Sequence, residues 1–279
     1  MKNQVNTLID IGFNKLEADV YIYLLSHPPA TAYKIGKEIN KPTANVYKVI
    51  DTLSIKGAVL IEDNKNKLCQ AVNSNEFIAA YKAEILKNAS KAEKALNNFN
   101  EVAPDQNSYK IQSVALVFER FRHMMERCKT IAVIDAFPNV LDLIIPIIEK
   151  AANRNIEIYV EAYKPTTIKN VNVVCVDVGK QNLEHWNSQQ LNLIIDGEEH
   201  LITLMDNSLS KVIQATWSNN IYMSCMLHAG ALREHTLMKI HSEYNSPDFE
   251  TKIKSILNNQ RFFYNSDIPG FNKLMNLNK

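Results

Sequence analysis

Pro28-Pro29, Pro42 and Gly57 cut the opening of the chain into helices too short to be stable unless they pack on one another. The stretch "NKLEADVYIYLLSH" puts Leu16, Val20, Tyr23 and Leu24 on one helical stripe, widened by Tyr21 and Leu25, and the proline pair stops it. Thr31 is an N-cap for "AYKIGKEIN", a second helix that buries Ile35 and Ile39. Asn40-Lys41 makes a tight turn, and Pro42 takes the first position of a third helix, where its missing N–H loses nothing. Val46, Val49, Ile50 and Leu53 form the buried stripe of that helix, and Gly57 ends it. "AVLIED", the turn "NKN" and "KLCQAV" then read as a β-hairpin. Helix, helix, turn, helix and hairpin is the winged helix-turn-helix arrangement, an α+β fold expected over residues 1–75.

A recognition helix needs a fixed start, because its first turns are what reach base edges in the major groove. Opposite Val46 and Leu53 the third helix carries Lys41, Ala44, Asn45 and Lys48, with Thr43 and Tyr47 towards the flanks. Asn45 has the bidentate geometry for adenine, the lysines reach phosphate or guanine, and Thr43 can donate to phosphate. Lys65 and Lys67 at the hairpin tip suit the neighbouring backbone as a wing. Tyr47 has two readings, a DNA contact or packing against the first helix. Charge supports a local contact only: the chain is +1 overall, while residues 31–75 hold seven Lys against four acids. The first arginine is Arg120, so the reading head lacks the commonest reader of guanine and is expected to favour A·T-leaning sites. The same small domain can also serve protein contacts alone, and that alternative stays open at this point.

The run "IDIGFNKLEADVYIYLL…AYKIGKEINKPTANVYKVIDTLSIKGAVL" resembles the N-terminal domain of the TrmB family of transcriptional regulators. Gly12, Glu17, Ala18, Tyr21, Pro42, Val46, Tyr47, Leu53, Lys56 and Gly57 carry the resemblance, which spans residues 9 to about 75. It implies sequence-specific regulation of transcription on double-stranded DNA, often in response to a sugar.

Residues 76–104 open with "EFIAAYKAEILKNASKAEKALNNFN", a stretch free of proline and glycine that reads as a connecting helix to residue 100, with a narrow coiled-coil-type seam. Ile78, Ile85, Ala92 and Phe99 recur every seven residues, beside Tyr81, Asn88 and Ala95 and next to Leu96. The seam either joins two copies into a homodimer, matching two half-sites on DNA, or lies on the chain's own second domain. The resemblance implies the dimer. Asn88 would fix register or face water. "EVAPDQNSYK" marks the domain boundary.

From residue 105 the pattern alternates. An amphipathic helix "SVALVFERFRHMMERC" precedes the strands "TIAVIDAF", "IEIYVEAY" and "VNVVCVDV", with a helix after the first. A hairpin about Asp196-Gly197-Glu198, the strand "KVIQATWS", a long helix capped by Asn219 or Asn220, a short helix and an aromatic tail follow. This is an α/β domain over residues 105–279. Its element order resembles the phospholipase D-like domain of TrmB-type proteins. Enzymes of that superfamily use H-x-K-x-x-x-x-D, and none of His27, His123, His185, His200, His228, His235 or His241 has lysine two residues later. Nor is there a G-x-S-x-G elbow, an H-E-x-x-H, a C-x-x-C or a phosphate-binding glycine loop. His228, Glu234 and His235 on one helix fit helix polarity better than a ligand set, and Asp135 and Asp142 fit either a ligand site or a cap. No reaction, metal or cofactor is expected; phosphodiesterase chemistry is the enzyme alternative that the missing motif opposes.

A sensing domain remains. Trp186 and Trp217, the two tryptophans, lie near asparagines including Asn219, and aromatic faces beside amides suit a small-molecule effector; a sugar is what the resemblance implies. Core packing competes with that role for both rings. The four separated cysteines, the absence of an apolar run of membrane-spanning length and the absence of a leader pattern are those expected of a cytoplasmic protein.

Overall fold

The computed structural model describes residues 2–63, 67–97, 99, 105–175, 185–258 and 267–277. The chain divides into two units, Met1–Val102 and Ala103–Lys279.

In the first unit the leader folds as a helix, α1 (Lys2–Asp10), and Gly12 turns the chain with φ +93°. A capping box opens α2 (Lys15–Ser26): Asn14 Oδ1 accepts from the Glu17 N–H at 2.9 Å, and Glu17 Oε2 accepts from the Asn14 N–H at 2.8 Å. Of the expected stripe of α2, Val20, Tyr21 and Leu24 are buried, Leu16 and Tyr23 are half-buried, and Leu25 is exposed. Tyr21 wins the inside position because its hydroxyl finds the Val72 carbonyl at 3.0 Å while its ring meets Phe13 and Phe77. Thr31 caps α3 (Ala32–Glu38), accepting from the Lys34 N–H at 3.3 Å; Ile35 is buried and Ile39 half-buried. Next comes α4 (Thr43–Ile55), with Val46, Val49, Ile50 and Leu53 buried as their spacing requires. Strands β1 (Val59–Ile61) and β2 (Cys69–Ala71) pair antiparallel, Val59 opposite Ala71, and Ala30 adds a bridge to Cys69. The hairpin tip at 64–66, with Lys65, lies outside the described residues. Asn73 caps α5 (Ser74–Leu96), which ends at the C-cap Asn97, short of the expected residue 100; residues 98 and 100 lie outside the described residues.

Among the described residues the second unit holds a seven-stranded mixed sheet in the order β3-β9-β8-β7-β4-β5-β6. Its strands are β3 (Ser108–Lys110), β4 (Ile131–Ala136), β5 (Glu157–Ala162), β6 (Asn172–Cys175), β7 (Ser188–Ile195), β8 (Glu199–Asp206) and β9 (Val212–Ser218). Strands β4, β5 and β6 run parallel, β7 turns back against β4, and β7 to β9 form a meander. The expected strand over 171–178 is described only as far as Cys175, and residues 261–266 of the aromatic tail also lie outside the described residues. Ala132, Ile134 and Ala136 of β4 enter the core shared with α6 (Val114–Arg127) and α7 (Pro138–Ala152). Ile131 and Val133 point the other way, to α8 (Ile221–Ser242) and α10 (Pro269–Met275). Strand alternation thus makes a helix–sheet–helix sandwich. A further helix, α9 (Phe249–Asn258), follows α8. At the Asp196-Gly197 hairpin both residues have positive φ, +54° and +64°, as the dipeptide requires.

Candidate nucleic-acid interface

Matching backbone caps fix both ends of the loop-helix segment around α4. At the end of α3, Asn40 takes φ +53°, its N–H donates to the Lys37 carbonyl at 3.3 Å and that of Lys41 to the Gly36 carbonyl at 2.8 Å. At the end of α4, Gly57 takes φ +72°, its N–H donates to the Ser54 carbonyl at 3.0 Å and that of Ala58 to the Leu53 carbonyl at 2.8 Å. Both are Schellman closures, which satisfy the last carbonyls of a helix and set the exit direction. Gly36 is needed for the first of them, because a Cβ there would sit 3.0 Å from the Lys41 carbonyl oxygen and 3.4 Å from Thr43. Pro42 stands one position earlier than expected. It is the N-cap itself, with φ −59° and ψ 127°, and its carbonyl accepts the first helical bonds from Asn45 and Val46. Extended ψ is natural for a cap and excluded inside a helix, which accounts for the shift.

With its apolar stripe sunk in the core, α4 presents Ala44, Asn45 and Lys48 to solvent beside Lys41, while Thr43 is half-buried. Tyr47 keeps 49% of its surface exposed and stands outside the buried core. Asp51, exposed one turn beyond Lys48, closes this face with a charge that phosphate repels, so only the first half of α4 suits a polyanion. Lys67 is exposed with φ +45°, two residues before β2.

A part-buried ion pair holds the back of the helix. Lys56 Nζ lies 2.7 Å from Glu17 Oε2, donates to the Gly12 carbonyl at 3.2 Å and stands 4.9 Å over the Phe13 ring. The Glu17 side chain is only 4% exposed. Gly12, Phe13, Glu17 and Lys56 therefore form one structural brace.

The dimerisation candidates divide along α5. Ile78 and Tyr81 pack against the core of their own unit, and the Tyr81 hydroxyl donates to the Ile11 carbonyl at 2.7 Å. Every residue from Lys82 to Asn97 is exposed, including Ile85, Asn88, Ala92 and Leu96. Phe99 lies beyond the helix end and is 76% exposed.

In the second unit Trp186 and Trp217 have separate surroundings. Trp186 is 52% exposed and meets the Phe137 ring edge-on at 5.8 Å. Trp217 is tied into the sheet: its Nε1–H donates to Glu199 at 2.5 Å, Arg120 lies 4.1 Å over the ring, and Tyr109 stacks at 5.8 Å. Glu199 also takes Arg127 at 2.7 Å, so the indole belongs to a polar brace formed by residues far apart in sequence. Asn220 caps α8, accepting from the Met223 N–H at 2.9 Å, whereas Asn219 Oδ1 is buried without a partner. Of the two aspartates weighed as ligands or caps, Asp142 pairs with Lys164 at 2.5 Å. Asp135 accepts from Gln190 and from Asn192 at 3.2 Å, and burial raises it to about 6. Beside it in the parallel register, Glu161 is buried with Oε1 unpartnered; desolvation, then Asp135 and Glu234, push it to about 8. Among the described residues no group of His, Cys, Asp and Glu could hold a metal ion, and no helix is long and apolar enough to cross a membrane.

The first unit thus follows the helix, helix, turn, helix and hairpin order of a winged helix-turn-helix, with the outer face of the first half of α4 exposed. Residues 8–75, the N-terminal part of the chain, match the family described as sugar-specific transcriptional regulator TrmB. YrhO, an uncharacterised protein of Bacillus subtilis (strain 168), is 21% identical over 244 residues, covering 87% of this chain and 85% of its own length. Among solved structures, TrmBL2, described as an archaeal chromatin protein with a novel mode of DNA binding, aligns over 84% of this chain and 96% of its own. Its identity is 14% and its TM-score 0.43. NucT from Helicobacter pylori aligns over 46% of this chain and 95% of its own, with 10% identity and a TM-score of 0.36.

Proposed function

We propose that this protein is a dimeric, effector-responsive transcriptional regulator that acts in the cytoplasm and catalyses no reaction. Residues 1–75 bind duplex DNA, residues 76–104 join two subunits, and residues 105–279 form a phospholipase D-like sensing domain without the catalytic histidine motif. One observation carries the DNA reading. The half of α4 that faces solvent bears Ala44, Asn45 and Lys48, with Lys41 exposed just before its cap, and both ends of the segment are locked by backbone caps. Preorganised backbone lets a short helix meet the groove without an ordering penalty. Thr43 and Tyr47 flank the contact, and Lys65 and Lys67 follow the phosphates from the wing.

Dimerisation uses the exposed part of α5, centred on Ile85, Ala92 and Leu96, with Asn88 setting register. Ile78 and Tyr81 support it by anchoring the helix to its domain. A small molecule bound to the second domain, a sugar in keeping with the family's description, shifts the separation of the two recognition helices. A coupling of about 1–3 kcal/mol would change operator affinity roughly 5- to 150-fold. Selection from random duplexes tests the DNA reading. Enrichment of A·T-leaning sites is expected; G-rich sites would overturn the readout assigned to Asn45, and no enrichment by a folded protein would overturn DNA binding itself.

A further inference from the structure

A cavity of about 450 Å³ opens in the second unit between α8, α9 and the β5–β6 edge of the sheet. That volume lies within the range of small-molecule sites. Its wall is evenly mixed, with Leu232, Ile256 and the Tyr159 ring on the apolar side and Asn172, Ser255 and Thr236 on the polar side. His235 lines it from α8 although the residue is only 3% exposed. Its ring stands edge-on to Tyr159 at 5.2 Å, and Nδ1 is buried without a hydrogen-bond partner. Leaving such a nitrogen unpaired costs about 1–3 kcal/mol, which a ligand hydroxyl or a bound water would recover.

One helical turn further on, Lys239 reaches the same cavity, and among the described residues it has no ion-pair partner. Lys252 also lines the cavity but is held by Glu243 at 2.6 Å. Two lysines against one glutamate leave one uncompensated positive charge at the rim. Burial and the neighbouring Lys239 lower His235 to about 4, so its imidazole is neutral near neutral pH and offers one donor and one acceptor.

We infer that this cavity is the effector site and that it takes a small hydroxylated organic anion: Lys239 holds the acidic group, and His235, Asn172 and Ser255 meet hydroxyls. Trp186 and Trp217 lie outside it. The site rests on the sensing role proposed above and gives that role an address and a ligand charge. A phosphate and a carboxylate would each satisfy Lys239, so the test uses glucose 6-phosphate and gluconate, with glucose as the uncharged control.

Melting of the full chain, followed by tryptophan fluorescence with each probe, reads out binding. At least one anion should raise the melting temperature of wild type, and glucose should not. Lys239→Gln, at an exposed position, should weaken that response about tenfold or more while the unliganded protein melts as before. His235→Asn should weaken it too, and Ser255→Ala provides a surface variant if the histidine change impairs folding. Failure of both anions, or a response unchanged in Lys239→Gln, would overturn the site. DNA binding measured on the same preparations separates the two readings, since intact operator binding without an anion response refutes the cavity alone.

Discussion

Glu161→Gln should change how the second unit responds to pH. Glu161 lies on β5 beside Asp135, 2% exposed, and its carboxyl is pushed up to about 8 from its ordinary 4.5, first by burial and then by its acidic neighbours. Below pH ~4.5 the folded and unfolded chains both hold the proton, and the stability this group confers is fully present. As pH rises to about 8 the unfolded chain ionises while the folded one keeps its proton, so stability is lost at about 1.4 kcal/mol per pH unit. Over the whole window the loss is of order 5 kcal/mol, and between pH 5 and pH 8 about 4 kcal/mol. Glutamine keeps the shape and cannot ionise. The variant should therefore match wild type near pH 5 and exceed it at pH 8 by roughly 10 °C in melting temperature, at about 2–4 °C per kcal/mol for a unit of this size. Both tryptophans, Trp186 and Trp217, lie in the second unit, so fluorescence melts report it selectively. Parallel pH profiles for the two proteins would refute the reasoning, because they would mean that Glu161 ionises normally in the folded state.

Lys56→Met should destabilise the first unit by about 3 kcal/mol, because Glu17 would remain 4% exposed without its cation; Glu17→Gln in the same chain should recover part of this, and an unchanged circular-dichroism melt would show the pair to be dispensable. Gly270→Ala should loosen α10, since a Cβ there would lie 2.1 Å from the Gly197 carbonyl oxygen. The penalty is about 3 kcal/mol, and limited proteolysis near residue 269 should accelerate. Ile85→Glu with Leu96→Glu should convert dimer to monomer in sedimentation without lowering the melting temperature, as both side chains are exposed; a dimer that persists would place the seam elsewhere.

The parts legible in the sequence are those marked by local backbone chemistry. Pro42 and Gly57 bracket α4 because a cap and a left-handed exit impose residue types directly, and the Asp196-Gly197 hairpin was readable for the same reason. Three-residue β3 was not legible, because all its residues are exposed and its pairing with β9 spans more than a hundred positions. Helix α1 is not legible in the sequence because Val5 and Leu8 only lean on the core and make no strong stripe. Within the candidate sites, the exposed face of α4 followed from helical periodicity. The Glu17–Lys56 brace and the Trp217–Glu199 bond did not, since they join residues that periodicity cannot relate. The cavity on α8 was hidden likewise: His235 and Lys239 share a helix face, but only the fold brings Asn172 and Ser255 to them.

The central claim is that the exposed half of α4 reads DNA. It is tested most directly by binding to a duplex from the protein's own upstream region at two salt concentrations, comparing wild type with Asn45→Ala plus Lys48→Ala. The account predicts tight wild-type binding that weakens as salt rises, and a collapse in the double variant with its melting temperature unchanged. Wild-type affinity retained by the folded double variant would contradict it.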